Sequence, residues 1–133
     1  MMTQTPQPLS TLLGYALPKA VVEAGVQDAY RRAMESADAA YRKLAAFHPD
    51  VASYVVPNGY NRRVLLSMNL RGAMHLVGLR SAGNAHFSIR RVAQRIAEDI
   101  RAAAPLLGEY LTVNTEETWQ GIEEQFFAGI NES

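Results

Sequence analysis

Only one stretch of this chain alternates. Between Tyr60 and Asn69 the side chains of Tyr60, Arg62, Val64, Leu66 and Met68 fall on one side and those of Asn61, Arg63, Leu65, Ser67 and Asn69 on the other, the two-residue period of a β-strand. Every other periodic stretch has a helical period. A strand leaves N–H and C=O groups along both edges, and a lone strand or two-strand ribbon is marginal in water. The chain therefore reads as α+β and predominantly helical: one long strand, completed by a partner chain, with several packed helices.

The helices have recognisable ends. Pro18 suits a first turn and Gly25 a left-handed close, which predicts a short helix over Pro18–Ala24. From Gln27 to Phe47, Tyr30, Ala33, Met34, Ala37, Tyr41 and Leu44 recur at three- and four-residue steps, with Arg31, Arg32, Glu35, Asp38, Arg42 and Lys43 on the solvated side. His48-Pro49 stops that helix, because the residue before proline is pushed out of helical geometry. Asp50 caps a single turn through Tyr54, and Pro57-Asn58-Gly59 spells a tight turn into the strand. After it, Asn69 is an N-cap for a helix over Leu70–Leu79. A second helix, Asn84–Ala104, has Ile89, Val92, Ala93, Ile96 and Ile100 as its buried stripe, punctuated by Gly83 and Pro105. Trp119, Ile122, Phe126, Phe127 and Ile130 mark a closing amphipathic helix whose aromatics cover either the chain's own core or a partner. Residues 1–13, with Pro6 and Pro8 among Thr, Gln and Ser, read as a flexible arm, and residues 14–133 as one domain.

At 133 residues and 48% apolar there is material for one hydrophobic core. No cysteine is present, which excludes disulfides, thiolate metal sites and cysteine nucleophiles. No leader pattern opens the chain and no apolar run approaches a membrane span, so a cytoplasmic location without membrane contact is expected. His48, His75 and His86 lack metal-ligand spacing, so no metal is expected.

The net charge is zero, but its distribution is uneven. The 47 residues from Val51 to Ala97 contain no Asp or Glu, yet they hold Arg62, Arg63, Arg71, Arg80, Arg90, Arg91 and Arg95 with His75 and His86, and no lysine. Arginine's planar fork grips phosphate or carboxylate oxygens in two places. Arg71 and His75, four apart, share a helix face near the free donors that follow Asn69. The stretch reads as an anion site, or else as a basic face balanced by the acidic terminal segments.

Tyr54-Val55-Val56-Pro57, then Arg62 through Leu76 (RRVLLSMNLRGAMHL), then Gly78-Leu79-Arg80 is similar to the C-terminal half of flavin-dependent thymidylate synthases (ThyX type), where a Leu-Pro turn leads to a strand ending in Asn-x-Arg and a helix closing with Leu-Arg. Asn84–Arg90 stands where that family has its Ala-Gln-x-Glu-Ile-Arg start of the next helix, and the likeness covers roughly residues 51–105. Longer relatives with two such domains in tandem also resemble the Gly14–Pro18 lead-in and first long helix. The resemblance implies that Asn69, Leu70, Arg71 and His75 contact FAD and that Arg80 binds the uracil of dUMP and favours ionisation of its ring, a catalytic role. NADPH and methylenetetrahydrofolate are the family's co-substrates, dTMP is the product, and no enzyme thiol attacks the base. Ser53 stands where the family has an arginine for the substrate phosphate, and the Arg-His-Arg signature of the N-terminal half has no counterpart in this sequence. From charge alone, Arg90 and Arg91 are added as phosphate contacts.

Three functional readings follow: a subunit that binds FAD and dUMP and works in a homo-oligomer or with a complementary half; a non-catalytic module that stabilises a partner synthase; and an Arg-rich nucleic-acid binder. The last is disfavoured because Phe87 and Tyr60 are the region's only aromatics beyond the Tyr54 lead-in, too few for a stacking platform.

Overall fold

A computed structural model describes residues 2–132, with side chains through Gly129. It is α+β, and the described chain divides into two compact units, one formed by residues 2–3 and 66–126 and the other by residues 4–65 and 127–132.

In the second of these, β2 (Tyr15–Pro18) leads into α1 (Lys19–Glu23), and Pro18 is the N-cap rather than the first helical residue. Gly25 sits at φ 69°, the left-handed close read from the sequence. The long helix α2 (Gln27–Phe47) buries Met34, which packs with Val56, Tyr60, Tyr30, Ala37 and Tyr41. His48-Pro49 ends it, and α3 (Pro49–Ala52) and a 3-10 turn (Ser53–Val55) follow. Tyr15 stands edge-on to both Tyr30 and Tyr60, at 5.9 and 5.5 Å between ring centres, and the Tyr60 hydroxyl donates to the Met34 carbonyl at 2.7 Å. This aromatic cluster forms a core from which sequence periodicity identified only the α2 side.

The other unit is helical. In α4 (Leu70–Arg80) the Asn69 Oδ1 accepts from the Gly72 amide at 2.9 Å, the expected cap. Helix α5 (Phe87–Ala103) starts later than predicted because His86 is its N-cap, its ring nitrogen accepting from the Ser88 amide at 3.3 Å. The short α6 (Pro105–Gly108) and α7 (Trp119–Phe126) both lie against α5. The core joins Val77, Ala97 and Leu111 with Met74, Ile96, Ile100 and Val113, and Ile122 is fully buried. The predicted stripe of α5 holds for Ala93, which is buried, and for Ile96 and Ile100, which pack on the core, but Ile89 and Val92 are 37% and 38% exposed, and Gln94 and Ala97 are buried in addition. Alanines let neighbouring backbones approach closely, and Gln94 is satisfied by donating Nε2 to the Asn114 carbonyl at 2.7 Å.

The strands depart most from expectation. The alternating stretch forms a ladder only over β3 (Val64–Met68); Tyr60 makes an isolated bridge to Tyr15, and Asn69 is used as the cap. The partner of β3, expected from another chain, is on one edge β1 (Met2–Pro6) of the same chain. The segment read as a flexible arm thus contains a paired strand, and its Thr11 is buried and donates to Asp38. The closing helix stops at Phe126: residues Phe127–Glu132 are β4, antiparallel to β2, with Leu17 opposite Gly129 and Pro18 opposite Phe127. Pairing with a distant strand overrides the local helical period. Ile130, assigned to the apolar stripe, lies outside the described side chains.

Candidate functional site

The start of α4 combines the features an anion or cofactor needs. Its first-turn amides have no intrahelical acceptor and its dipole is positive there. Asn69 holds that turn in place, and among the described residues neither Arg71 nor His75 takes part in an ion pair. Both are exposed, on the side of the helix away from buried Ala73 and Val77.

Beside this turn lies an apolar groove of about 410 Å³, lined by Leu66, Met68, Asn69, Leu70, Ile96 and Ile100 and floored by Ala73. Its apolar walls meet a polar rim at Asn69, the composition that ligand grooves commonly have. The four residues assigned to a cofactor are therefore divided in two. Asn69 and Leu70 line the groove, while Arg71 and His75 present a cationic and hydrogen-bonding face to solvent.

Arg80 closes α4, where a cation complements the helix dipole. Nine residues from Arg71, it lies roughly half a turn round and about 13 Å along the axis. The two guanidinium groups of one chain therefore face opposite ways. Ser53 belongs to the other unit and donates its hydroxyl to the Asp50 carbonyl at 2.7 Å.

Arg90 and Arg91 are occupied within their own unit. Arg90 Nη1 donates to the carbonyls of Gly83 at 2.8 Å and Ala85 at 3.3 Å, and its guanidinium lies 5.4 Å from the Phe126 ring centre. Its Nε is 3.0 Å from Glu117 Oε1, an ion pair by distance but without the alignment of a hydrogen bond. Arg91 pairs with Glu123. Phe87 stacks on Phe126 at 4.8 Å, Trp119 Nε1 donates to Glu98 at 2.6 Å, and Arg95 lies over the Trp119 ring. The acid-free stretch is in part neutralised by acids of the same chain that lie beyond it in sequence. Trp119 and Phe126 cover the chain's own α5, one of the two roles left open for the closing aromatics, whereas Phe127 lies in β4 opposite Pro18.

Sequence reasoning missed a polar cluster in the other unit. Asp38 accepts from Thr11 and from Arg42 Nε at 2.7 Å, and the hydrogen bond from Arg42, then that from Thr11, holds its carboxyl below the usual range. Burial, and then the Asp38 charge, raises the Tyr60 phenol above its ordinary value. The four-residue spacing of Asp38 and Arg42 was visible; Thr11 was not, because it arrives from a segment read as unpacked. Among the described residues no three His, Asp or Glu groups converge as metal ligands, and no helix is long and apolar enough to cross a membrane.

A family-wide sequence profile described as "Thymidylate synthase complementing protein" (Thy1) matches residues 3–106, which include β3, α4 and the groove. A "UPF0159 protein" of Chlamydia muridarum (strain MoPn / Nigg) is 40% identical over 111 residues, covering 84% of this chain and 21% of its own length. A "Flavin-dependent thymidylate synthase" of Saccharolobus solfataricus is 32% identical over 109 residues, 81% of this chain and 39% of its own. Another of that name, from Sulfolobus acidocaldarius, is 32% identical over 97 residues, 72% and 35% respectively. The chain thus spans about a fifth to two fifths of the length of these relatives.

Proposed function

This chain belongs to the thymidylate synthase complementing protein family, and on that premise we propose that it is a FAD- and dUMP-binding part of a thymidylate synthase, acting in a homo-oligomer or with a complementary half. The observation that carries the reading is the start of α4: a turn capped by Asn69, an apolar groove on one side, and on the other an arginine and a histidine that have no carboxylate partner among the described residues.

These residues fit a flavin. The groove, at about 410 Å³, has the volume for a flat ring system, and Asn69 is the polar residue among those that line it. Asn69, Leu70, Arg71 and His75 would hold the cofactor, with Arg71 and His75 donating to phosphate or to polar ring edges. Bound there, the flavin supplies hydride-transfer chemistry. Arg80 would hold the pyrimidine and favour its ionised form by placing a fixed positive charge beside it. Because Arg71 and Arg80 point opposite ways on one helix, a site that uses both draws them from two copies or two halves. Arg90 and Arg91, already paired with Glu117 and Glu123, are left out of this assignment.

Titration of the purified chain with FAD, followed by quenching of flavin fluorescence, tests the reading. Saturable binding at one site per chain or per pair of chains is expected. A second reading, a non-catalytic module that stabilises a partner synthase, is favoured by Ser53, whose hydroxyl is committed to the Asp50 carbonyl at a position where a phosphate-binding arginine would stand. A colourless chain that takes up no flavin, alone or with a complementary half, would select that reading.

A further inference from the structure

We propose that the unit comprising residues 4–65 carries a second anion site, built for the phosphate group of a small phosphate monoester, in the pocket between the loop over residues 7–13 and the extended segment over residues 61–63. This inference does not depend on the flavin reading, since every residue it uses lies in that unit.

The pocket holds about 210 Å³, room for a phosphate and a few carbon atoms but not for a nucleotide with its base. Arg62 and Arg63 both line it, with Gln7 and Ser10 opposite and Leu9 and Leu13 as apolar walls. Neighbouring residues of a regular strand would point to opposite faces. Residues 61–63 precede the ladder of β3 and have no such constraint, so two successive arginines border one cavity.

The cradle is fixed at both ends. The Gln7 amide donates to the Arg63 carbonyl at 3.3 Å. At the other end Asn61 donates its side-chain amide to the Leu13 carbonyl at 2.9 Å and its backbone amide to Gly14 at 2.8 Å. Arg62 donates one Nη to Asn58, which leaves its other donors available, and no described carboxylate pairs with Arg63. Two cations, a serine hydroxyl and a glutamine amide around one small cavity match a tetrahedral dianion better than a single carboxylate, because two guanidinium forks and a hydroxyl can donate to three oxygens at once. The leucines offer contact to the ester's carbon side. No aromatic lines the pocket, which argues against a nucleic acid held by stacking.

The test is an amide-resolved NMR titration of the chain with inorganic phosphate, glycerol 1-phosphate and glycerol. Saturable shifts centred on Ser10 and residues 61–63 are expected with both phosphates and none with glycerol. Tighter binding of the ester would reflect the apolar walls. Arg63→Gln should weaken binding at least tenfold and Ser10→Ala about threefold, with dispersed spectra showing that each variant folds, whereas Arg32→Gln, on the exposed face of α2, should change nothing. Shifts that do not saturate, that spread evenly over all arginines, or that survive both Arg63→Gln and Ser10→Ala would overturn the assignment.

Discussion

At the scale of single residues, burial and pairing sort the arginines. Arg71 is exposed and Arg90 and Arg91 are tied to Glu117 and Glu123, although all three sit in the same acid-free stretch of sequence. If Arg71 donates to the flavin, Arg71→Ala should weaken FAD binding by ~1.5–3 kcal/mol, the range of a charged hydrogen bond. Arg31→Ala, on α2, should leave the titration unchanged; equal affinity of the two variants would remove Arg71 from the site. Tyr60 gives a prediction in pH. Its phenol is raised above 10.0 by burial and then by Asp38, so the unfolded chain gives up this proton before the folded one does. The stability contributed is complete below pH 10 and is lost as pH rises through the folded value. Tyr60→Phe should cost about 1 kcal/mol at neutral pH, from the lost bond to Met34. It should also flatten the decline in urea midpoint above pH 10, leaving the share due to Tyr30, whose pKa is likewise raised by burial. An unchanged alkaline slope would show that Tyr60 does not titrate with folding.

Elements are positioned by small residues as much as by large ones. A Cβ built on Gly108 would lie 2.8 Å from the Arg101 Cα and 2.6 Å from its Cγ, so α6 lies too close to α5 for a methyl group and the obstacle is backbone, which cannot swing aside. Gly108→Ala should destabilise by ~1–3 kcal/mol through overpacking, visible as a lower melting temperature. Gly83→Ala, where a methyl group meets open space, should melt within a degree or two of the parent. Similar melting points for the two would mean that the α5–α6 approach is looser than described. The same use of small side chains explains the part of the α5 stripe that was misjudged: Ile89 and Val92 are the larger apolar residues, yet Ala97, outside the predicted stripe, is fully buried beside the correctly placed Ala93. Hydrophobic size marked the amphipathic helix and the C-terminal part of its inner line, but not the start of that line.

For the molecule as a whole, each unit depends on segments far apart in sequence. Residues 127–132 belong with residues 4–65, through the pairing of β4 with β2, while α7, immediately before them, covers α5. Ending the chain at Phe126 should therefore act on one unit. In hydrogen exchange, amides of Tyr15 and Leu17 should lose protection while those of Val77 and Ala97 keep theirs; equal loss in both would show that the two cores unfold together.

The spans of α2 and α4, the Asn69 cap and the left-handed Gly25 were legible in the sequence. Each is decided by contacts within a few residues, namely a helical period, a side chain reaching its own first turn, or a backbone angle only glycine adopts cheaply. The start of α4 was legible for the same reason, and with it the face that Arg71 and His75 share beside Asn69, while the grouping of these residues with Leu70 came from the family resemblance. Which strand pairs with β3, the change from helix to β4 after Phe126, the carboxylates that claim Arg90 and Arg91, and the cradle around Arg62 and Arg63 were settled only in three dimensions. In each of these the deciding partner comes from a distant segment, and no local period or spacing carries information about which distant backbone or charge will satisfy a given group.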